Sequence, residues 1–237
     1  MPAPIDHQTI PGDLNVYAHA IERAARQAAV FKPTKGSLKS PPVGDLPAMG
    51  YTHWLGLPDI PENPDFPIQY CSPGSPLDGP TFWLQVNLEE IPWQARNCPD
   101  LPSVGVLWVF LDLRGDWKGI TYFDSRPAKE IQWKPRPAGI VYQYSIMRLV
   151  PVPSETVDVF ESMKDMSLMD EYWEYANKLV PRDAPYFGGY AWGIQSDQES
   201  TQDTIFCTMH SPIIGDNGAL YVHYSEFRGW WVTLESH

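Results

Sequence analysis

The feature that most constrains this chain is a pair of apolar strand-like runs that occurs twice. Thr81 to Asn87 (TFWLQVN) precedes Gly105 to Phe110 (GVLWVF), and Thr204 to His210 (TIFCTMH) precedes Gly218 to His223 (GALYVH). Aligned position by position, Thr81 matches Thr204, Trp83 matches Phe206, Val86 matches Met209, Gly105 matches Gly218 and Val109 matches Val222. The fuller first-copy runs, Thr81 to Leu88 and Val104 to Leu113, are continuously apolar and bounded by Pro, Gly and Asn, as buried strands are. In each copy a buried strand leads through a loop to a second strand that starts at Gly. Two copies separated by helices point to one pseudo-symmetric domain rather than two independent ones.

The rest of the chain fills in around this repeat. From Asp13 to Phe31, the residues Leu14, Tyr17, Ile21, Ala24, Ala25 and Ala28 recur at helical spacing, with Asp13 as the expected N-cap. Residues 32–67 are dense in Pro and Gly but carry Trp54, Leu55, Leu57, Ile60 and Phe66, so they should wrap a core. Weaker strands are expected at Gly119 to Phe123, Glu130 to Trp133 and Tyr142 to Val150, with Lys118, Lys129 and Lys134 protecting edges. Helices are expected at Ser154 to Lys164 and Ser167 to Leu179, and a last strand at Trp230 to Leu234. The expected fold is therefore α+β, a large and mostly antiparallel sheet arrangement with two related strand blocks, an N-terminal helix and a central helical segment. Its parts are an N-terminal helix and wrap (1–50), a first β block (51–150), a helical segment (151–184) and a second β block (185–237).

Composition excludes several function classes. Apolar residues make up 43% of the 237 positions, enough to build a sizeable core, while 25 prolines interrupt long helices. A net charge of -12 opposes nucleic-acid binding, which needs Lys and Arg to displace counterions, and fits a basic partner better. No apolar run reaches the roughly 18 residues of a membrane span, and Met1 to Ile10 lacks the regions of a secretory signal, so a cytoplasmic protein is expected. Cys71, Cys98 and Cys207 are odd in number and widely spaced, which indicates neither a disulfide framework nor a zinc site.

Several short pieces, taken in order, resemble the YwqG-like bacterial family, a domain of unknown function. They are Leu55-Gly56-Leu57-Pro58-Asp59-Ile60-Pro61, Phe66-Pro67, Leu84-Gln85-Val86-Asn87-Leu88 with Ile91-Pro92, and Leu101-Pro102 before Gly105-Val106-Leu107. Gly188-Gly189-Tyr190 with Gln195 and Gly215-Asp216-Asn217-Gly218-Ala219-Leu220-Tyr221 follow in the second half. The chain departs from the family at Phe66, where Trp is usual, and at Thr208 and His210, where a Gln and an acidic residue are usual. The resemblance implies an α+β fold with a mostly antiparallel sheet and transfers no catalytic residue.

No nucleophile elbow, phosphate loop or metal-ligand spacing stands out. Gln85 and Asn87 lie two apart on a strongly apolar strand and so share a face. Buried amides must find partners, so the pair either pins neighbouring backbone or lines a small-ligand site. His210 and His223 are close enough in the second block to face each other across a hairpin. A pocket between the blocks would gather Gln85, Asn87, His210 and Asp216, and would suit a hydrolase or ligand-binding module. The second class of candidate is a partner surface: the acidic residues Asp170, Glu171 and Glu174 around Trp173, and Trp192 near Asp197 and Glu199. Acidity and the ten Trp residues favour the partner surface. The leading expectation is a non-enzymatic protein that binds another protein, most concretely an immunity protein neutralising a basic bacterial toxin, with no cofactor and no metal. An uncommitted structural domain is the remaining alternative.

Overall fold

The computed structural model describes residues 10–33, 48–54, 57–66, 80–112, 118–136, 145–152, 166–179, 185–190, 204–210 and 218–235. Ten strands are placed among them. A six-stranded sheet has the order β10-β9-β8-β7-β1-β6 and a four-stranded sheet the order β2-β3-β4-β5, with every described pair antiparallel. The strands are β1 (Arg26–Pro33), β2 (His53–Trp54), β3 (Thr81–Asn87), β4 (Val106–Asp112) and β5 (Lys118–Asp124), then β6 (Ser145–Val152), β7 (Tyr186–Gly188), β8 (Ile205–His210), β9 (Ala219–Ser225) and β10 (Gly229–Glu235). The helices are α1 (Ala18–Ala24), led by a 3-10 segment Gly12–Tyr17, and α2 (Met166–Leu179).

The repeat read from the sequence is a repeat of pairing register. In the first copy Phe82, Leu84, Gln85, Val86 and Asn87 pair with Phe110, Val109, Trp108, Leu107 and Val106. In the second, Ile205, Cys207, Thr208, Met209 and His210 pair with His223, Val222, Tyr221, Leu220 and Ala219. Each register shifts at the same place, stepping over Trp83 in one copy and Phe206 in the other, so the bulge itself is duplicated. The correspondence extends outward. Gln85 pairs with His53 of β2 as Thr208 pairs with Tyr186 of β7, and β4 pairs with β5 as β9 pairs with β10. The repeated unit is thus four strands, β2 to β5 and β7 to β10.

The two units face each other across one core. Leu84, Val86, Leu107, Val109 and Leu111 from one sheet meet Phe187, Phe206, Cys207, Met209, Leu220 and Val222 from the other. Each such side chain, fully buried, contributes roughly 1.5–3 kcal/mol. The edges close as well, because β5 lies against β10. Thr121 Oγ1 donates to the Trp230 carbonyl over 3.3 Å, the Phe123 and Trp230 rings stand 5.6 Å apart, and a Cβ on Gly119 would come within 2.2 Å of Val232. Both outer faces are covered too. The 3-10 segment before α1 brings Leu14, and helices α1 and α2 bring Ile21, Tyr172 and Ala176, onto Ala28, Val30 and Tyr186, while Phe66, Ala128 and Ile131 cover Phe82, Trp108 and Phe110. Burial on both faces is why the central strands read as unbroken apolar runs.

Three local expectations are corrected. The N-terminal helix does not extend to Phe31: it stops at Ala24, and β1 begins at Arg26. Ala28 fits the helical stripe, yet β1 is an interior strand paired with both β6 and β7, and that pairing overrides local propensity. Asp13 is not the N-cap. Pro11 holds that position, and Asp13 sits in the first turn, where negative charge is favourable. Residues Glu130 to Trp133 form no strand. A 3-10 turn, Ala128–Glu130, precedes a single bridge from Trp133 to Pro61, because Pro127 and Pro135 bracket a segment too short for a ladder. The helix expected at Ser154 to Lys164 lies outside the described residues.

Candidate functional site

Gln85 is the hub of a buried polar network on the outer face of the four-stranded sheet. Its Oε1 accepts from the Asp59 backbone N–H over 2.9 Å and from Trp108 Nε1 over 2.8 Å. Its Nε2 donates to the Tyr51 carbonyl over 2.8 Å and to Asp59 Oδ2 over 3.2 Å. Those four bonds use the two acceptor and two donor positions of the amide. Asp59 is equally engaged. Arg136 grips it in a fork, Nε to Oδ1 over 2.6 Å and one terminal nitrogen to Oδ2 over 2.9 Å, and the Gly50 N–H donates to Oδ2 over 2.7 Å. Arg136 also lies over the Tyr51 ring at 5.3 Å.

This network fastens a lid. The Glu62 N–H donates to the Gln132 carbonyl and the Lys134 N–H to the Ile60 carbonyl, so the segments carrying Asp59 and Arg136 are tied to each other as well as to the sheet. His53 lies beneath it, fully buried, with Nδ1 3.2 Å from the Tyr51 carbonyl and Nε2 3.0 Å from the Leu57 carbonyl. Burial depresses its pKa, with Asp59 pulling the other way. Asn87, two residues along from Gln85, accepts from the Glu89 N–H and caps the 3-10 turn Leu88–Glu90. The shared face inferred for Gln85 and Asn87 is therefore used to hold neighbouring backbone. Its bonding leaves Gln85 no free position for a ligand.

The equivalent face of the second copy has diverged. His223 stands where the first copy has Phe110, and its ring is 3.2 Å from Thr204 Oγ1 and 2.7 Å from Thr233 Oγ1. Tyr221, matching Trp108, donates to Glu235 over 3.0 Å. Thr208, matching Gln85, is fully buried, and its hydroxyl has no hydrogen-bond partner among the described residues. Trp231 stacks flat on His223 at 4.8 Å, and the Arg228 guanidinium lies over the Trp231 ring at 4.6 Å. Burial, aided by Arg228, pushes the His223 pKa down to about 4.

A different arrangement occupies one end of the sheets. The β3–β4 connection, residues 88–105, runs across this end. Arg96 holds it by donating to the Leu88 and Ile91 carbonyls, Asn97 Nδ2 donates to the Gly189 carbonyl, and Ala95 packs so tightly on Gly188 that a Cβ there would fall 2.1 Å from the Ala95 oxygen. Farther along, Cys98 and Leu101 join the core beside Trp230. The chain re-enters at Gly105, whose φ of +121° and contact with Phe123 admit only glycine. On this end Trp93 is 72% exposed, Val104 is exposed, and Phe227 at the tip of the β9–β10 turn is fully exposed. The carboxylates of Glu226 and Asp100 both act on Tyr224, whose hydroxyl is pushed up first by burial and then by them. The turn and the connection are therefore neighbours.

The expected site residues are dispersed over this framework. Gln85 and Asn87 lie in the four-stranded sheet, on the face turned away from the six-stranded one, whereas His210 ends β8 in the six-stranded sheet. The expectation that His210 and His223 face each other is corrected: His210 pairs with Ala219 and His223 with Ile205, at opposite ends of the hairpin. Asp216, Trp192, Asp197 and Glu199 lie outside the described residues. On α2, Asp170 and Glu174 are exposed, Glu171 is half-buried and Glu174 lies 3.7 Å from Lys178. Trp173 is half-buried against the helical cluster, not standing free of it. Among the described residues no group of three His, Cys, Asp or Glu side chains is placed to hold a metal ion, and no helix is long and apolar enough to cross a membrane. Burial pushes the Cys207 thiol up, which keeps it protonated and unreactive. Sequence reasoning missed Asp59, Arg136, Trp93 and Phe227. The available signals were an Asp in an otherwise apolar stretch, an Arg between two prolines, and a Phe between charged residues just before a turn glycine. No family model, no curated protein and no solved structure matches the chain.

Proposed function

We propose that this chain is a non-enzymatic binding protein of YwqG-like type that acts through direct contact with a protein partner, most concretely an immunity protein that neutralises a basic bacterial toxin. The observation that carries the reading is the exposure of Trp93 and Phe227 in a chain of net charge -12. Other large aromatics, Trp108, Tyr172, Tyr186, Tyr221, Phe110, Phe187 and Phe206 among them, are packed to below 2% exposure. Solvent-exposed Trp and Phe on ordered connections are suited to anchoring a partner, because their apolar area leaves water on docking. Acidity would steer a basic partner and raise its association rate.

The test is protection. Cells producing the product of any toxin gene that neighbours this one should survive when this chain is co-expressed, and the purified pair should associate more slowly as salt rises. Killing that proceeds unchanged, with no complex by calorimetry, would overturn the reading.

A further inference from the structure

We infer that the sheet end formed by the β3–β4 connection and the β9–β10 turn is the docking face, and that its occupant is a cationic protein segment bearing an apolar side chain. This inference rests on the binding-protein reading and adds the surface and the chemistry of what sits on it.

Geometry places the anchors on one end. Ala95, two residues after Trp93, packs on Gly188 at the end of β7. Phe227 joins the adjoining end of β9 to β10, and β9 is two strands from β7, roughly 10 Å at the usual spacing. Val104 lies at the same end, toward the β9–β10 side: its neighbour Gly105 lies against Phe123, and Phe123 packs on Trp230 at the start of β10. That spread suits the apolar centre of one interface.

Charge selects the occupant. Glu89, Asp100 and Glu226 are exposed on this end, and Glu90, also exposed, accepts from the Thr52 N–H over 2.7 Å. The cations of the same end are held beside neighbouring groups: Arg26 over the Tyr190 ring, Arg96 on backbone carbonyls, Arg126 on Asp124 over 2.6 Å, and Arg228 over the Trp231 ring. An acidic rim around apolar anchors complements a partner with Lys or Arg around an apolar residue and repels an acidic one. The surface is also rigid. Tyr224 packs on Trp230 at 4.7 Å, and the Arg228 guanidinium stacks with the Trp231 and His223 rings below the tip, so little order is lost when Phe227 is covered.

The experiment uses the full chain, labelled for NMR, with a synthetic peptide rich in Lys and Leu and a control peptide carrying Glu for Lys. Amide shifts from the Lys peptide should concentrate at residues 93–104 and 224–230, and the Glu peptide should produce none. The W93S/F227S double variant should keep its melting temperature, since both side chains are exposed, and weaken binding about tenfold or more. The D100N/E226Q variant should bind more weakly and with less dependence on salt. Shifts centred on Asp170 and Glu174 of α2, equal binding of both peptides, no binding of either, or an unaffected W93S/F227S variant would each overturn the surface. Tested against a toxin, W93S/F227S that still protects cells would sink this surface and leave the binding-protein reading intact. Failure of the unaltered chain to protect would sink that reading instead.

Discussion

Substitutions at the two equivalent positions Gln85 and Thr208 should move stability in opposite directions. Gln85→Leu removes the amide that accepts from the Asp59 N–H, the only partner of that donor among the described residues, and that takes one of the two bonds made by Trp108 Nε1. An orphaned buried group costs about 1–3 kcal/mol, and each further lost bond about 0.5–1.5 kcal/mol. Because Tyr51 and Asp59 Oδ2 keep other partners, the total should be about 3–5 kcal/mol, or a fall in Tm of roughly 10 °C. Thr208→Val removes a buried hydroxyl that has no partner among the described residues and keeps the side chain's shape, so it should stabilise by about 1–2 kcal/mol. Urea unfolding followed by Trp fluorescence measures both, with an unchanged m-value confirming that the folded states are comparable. A loss below about 1 kcal/mol for Gln85→Leu, or a loss of that size for Thr208→Val, would refute the account.

Other consequences follow from single contacts. Arg136→Met leaves the buried Asp59 charge without its fork and should cost about 3–5 kcal/mol in urea unfolding, whereas adding Asp59→Asn should recover part of that loss. Gly119→Ala should destabilise by about 1–3 kcal/mol by forcing β5 from β10, and in a double-mutant cycle Val232→Ala should restore little of it, because alanine keeps the Cβ that would lie 2.2 Å away. His223 has a folded pKa of about 4 against 6.5 in its ordinary state, so between these values the unfolded chain binds the extra proton. Its contribution to stability is therefore complete above pH 6.5 and falls as pH drops toward 4, with His53 acting in the same direction. Urea midpoints measured across that window should rise with pH, and the slope should shrink in His223→Gln.

The repeat was legible in the sequence because register depends on local pattern. A strand buried on both faces keeps its apolar run, and the bulge residues Trp83 and Phe206 remained large aromatics in both copies. The start of β1 was not legible, since the small residues that let Ala28 and Ala29 sit between two neighbouring strands also make good helix. The Asp59–Arg136 pair was hidden for another reason. Its members are far apart in sequence and are brought together by two irregular segments, where periodicity carries no information. Gln85 was identifiable as a buried amide from its apolar surroundings, but its choice between backbone and ligand depended on Asp59 and Trp108, which only the folded chain brings to it.

Duplication also indicates where function should lie. Two copies that share register, bulge and core cannot differ in function through those parts, so any specialisation must come from what differs. One difference is the cover: the first copy fills its outer face with Gln85, Asp59 and Arg136, while the second carries Thr208, Tyr221 and His223. The other is the connection between the paired strands, residues 88–105 in the first copy against 211–218 in the second. The longer connection is tied down at Arg96 and Asn97, and it carries Trp93, Asp100 and Val104 to the end where the β9–β10 turn presents Phe227. Loops held by a rigid scaffold commonly carry binding residues. Neither copy supplies both halves of this surface, so the packing of β5 on β10, which sets one unit against the other, is also what brings the docking face together.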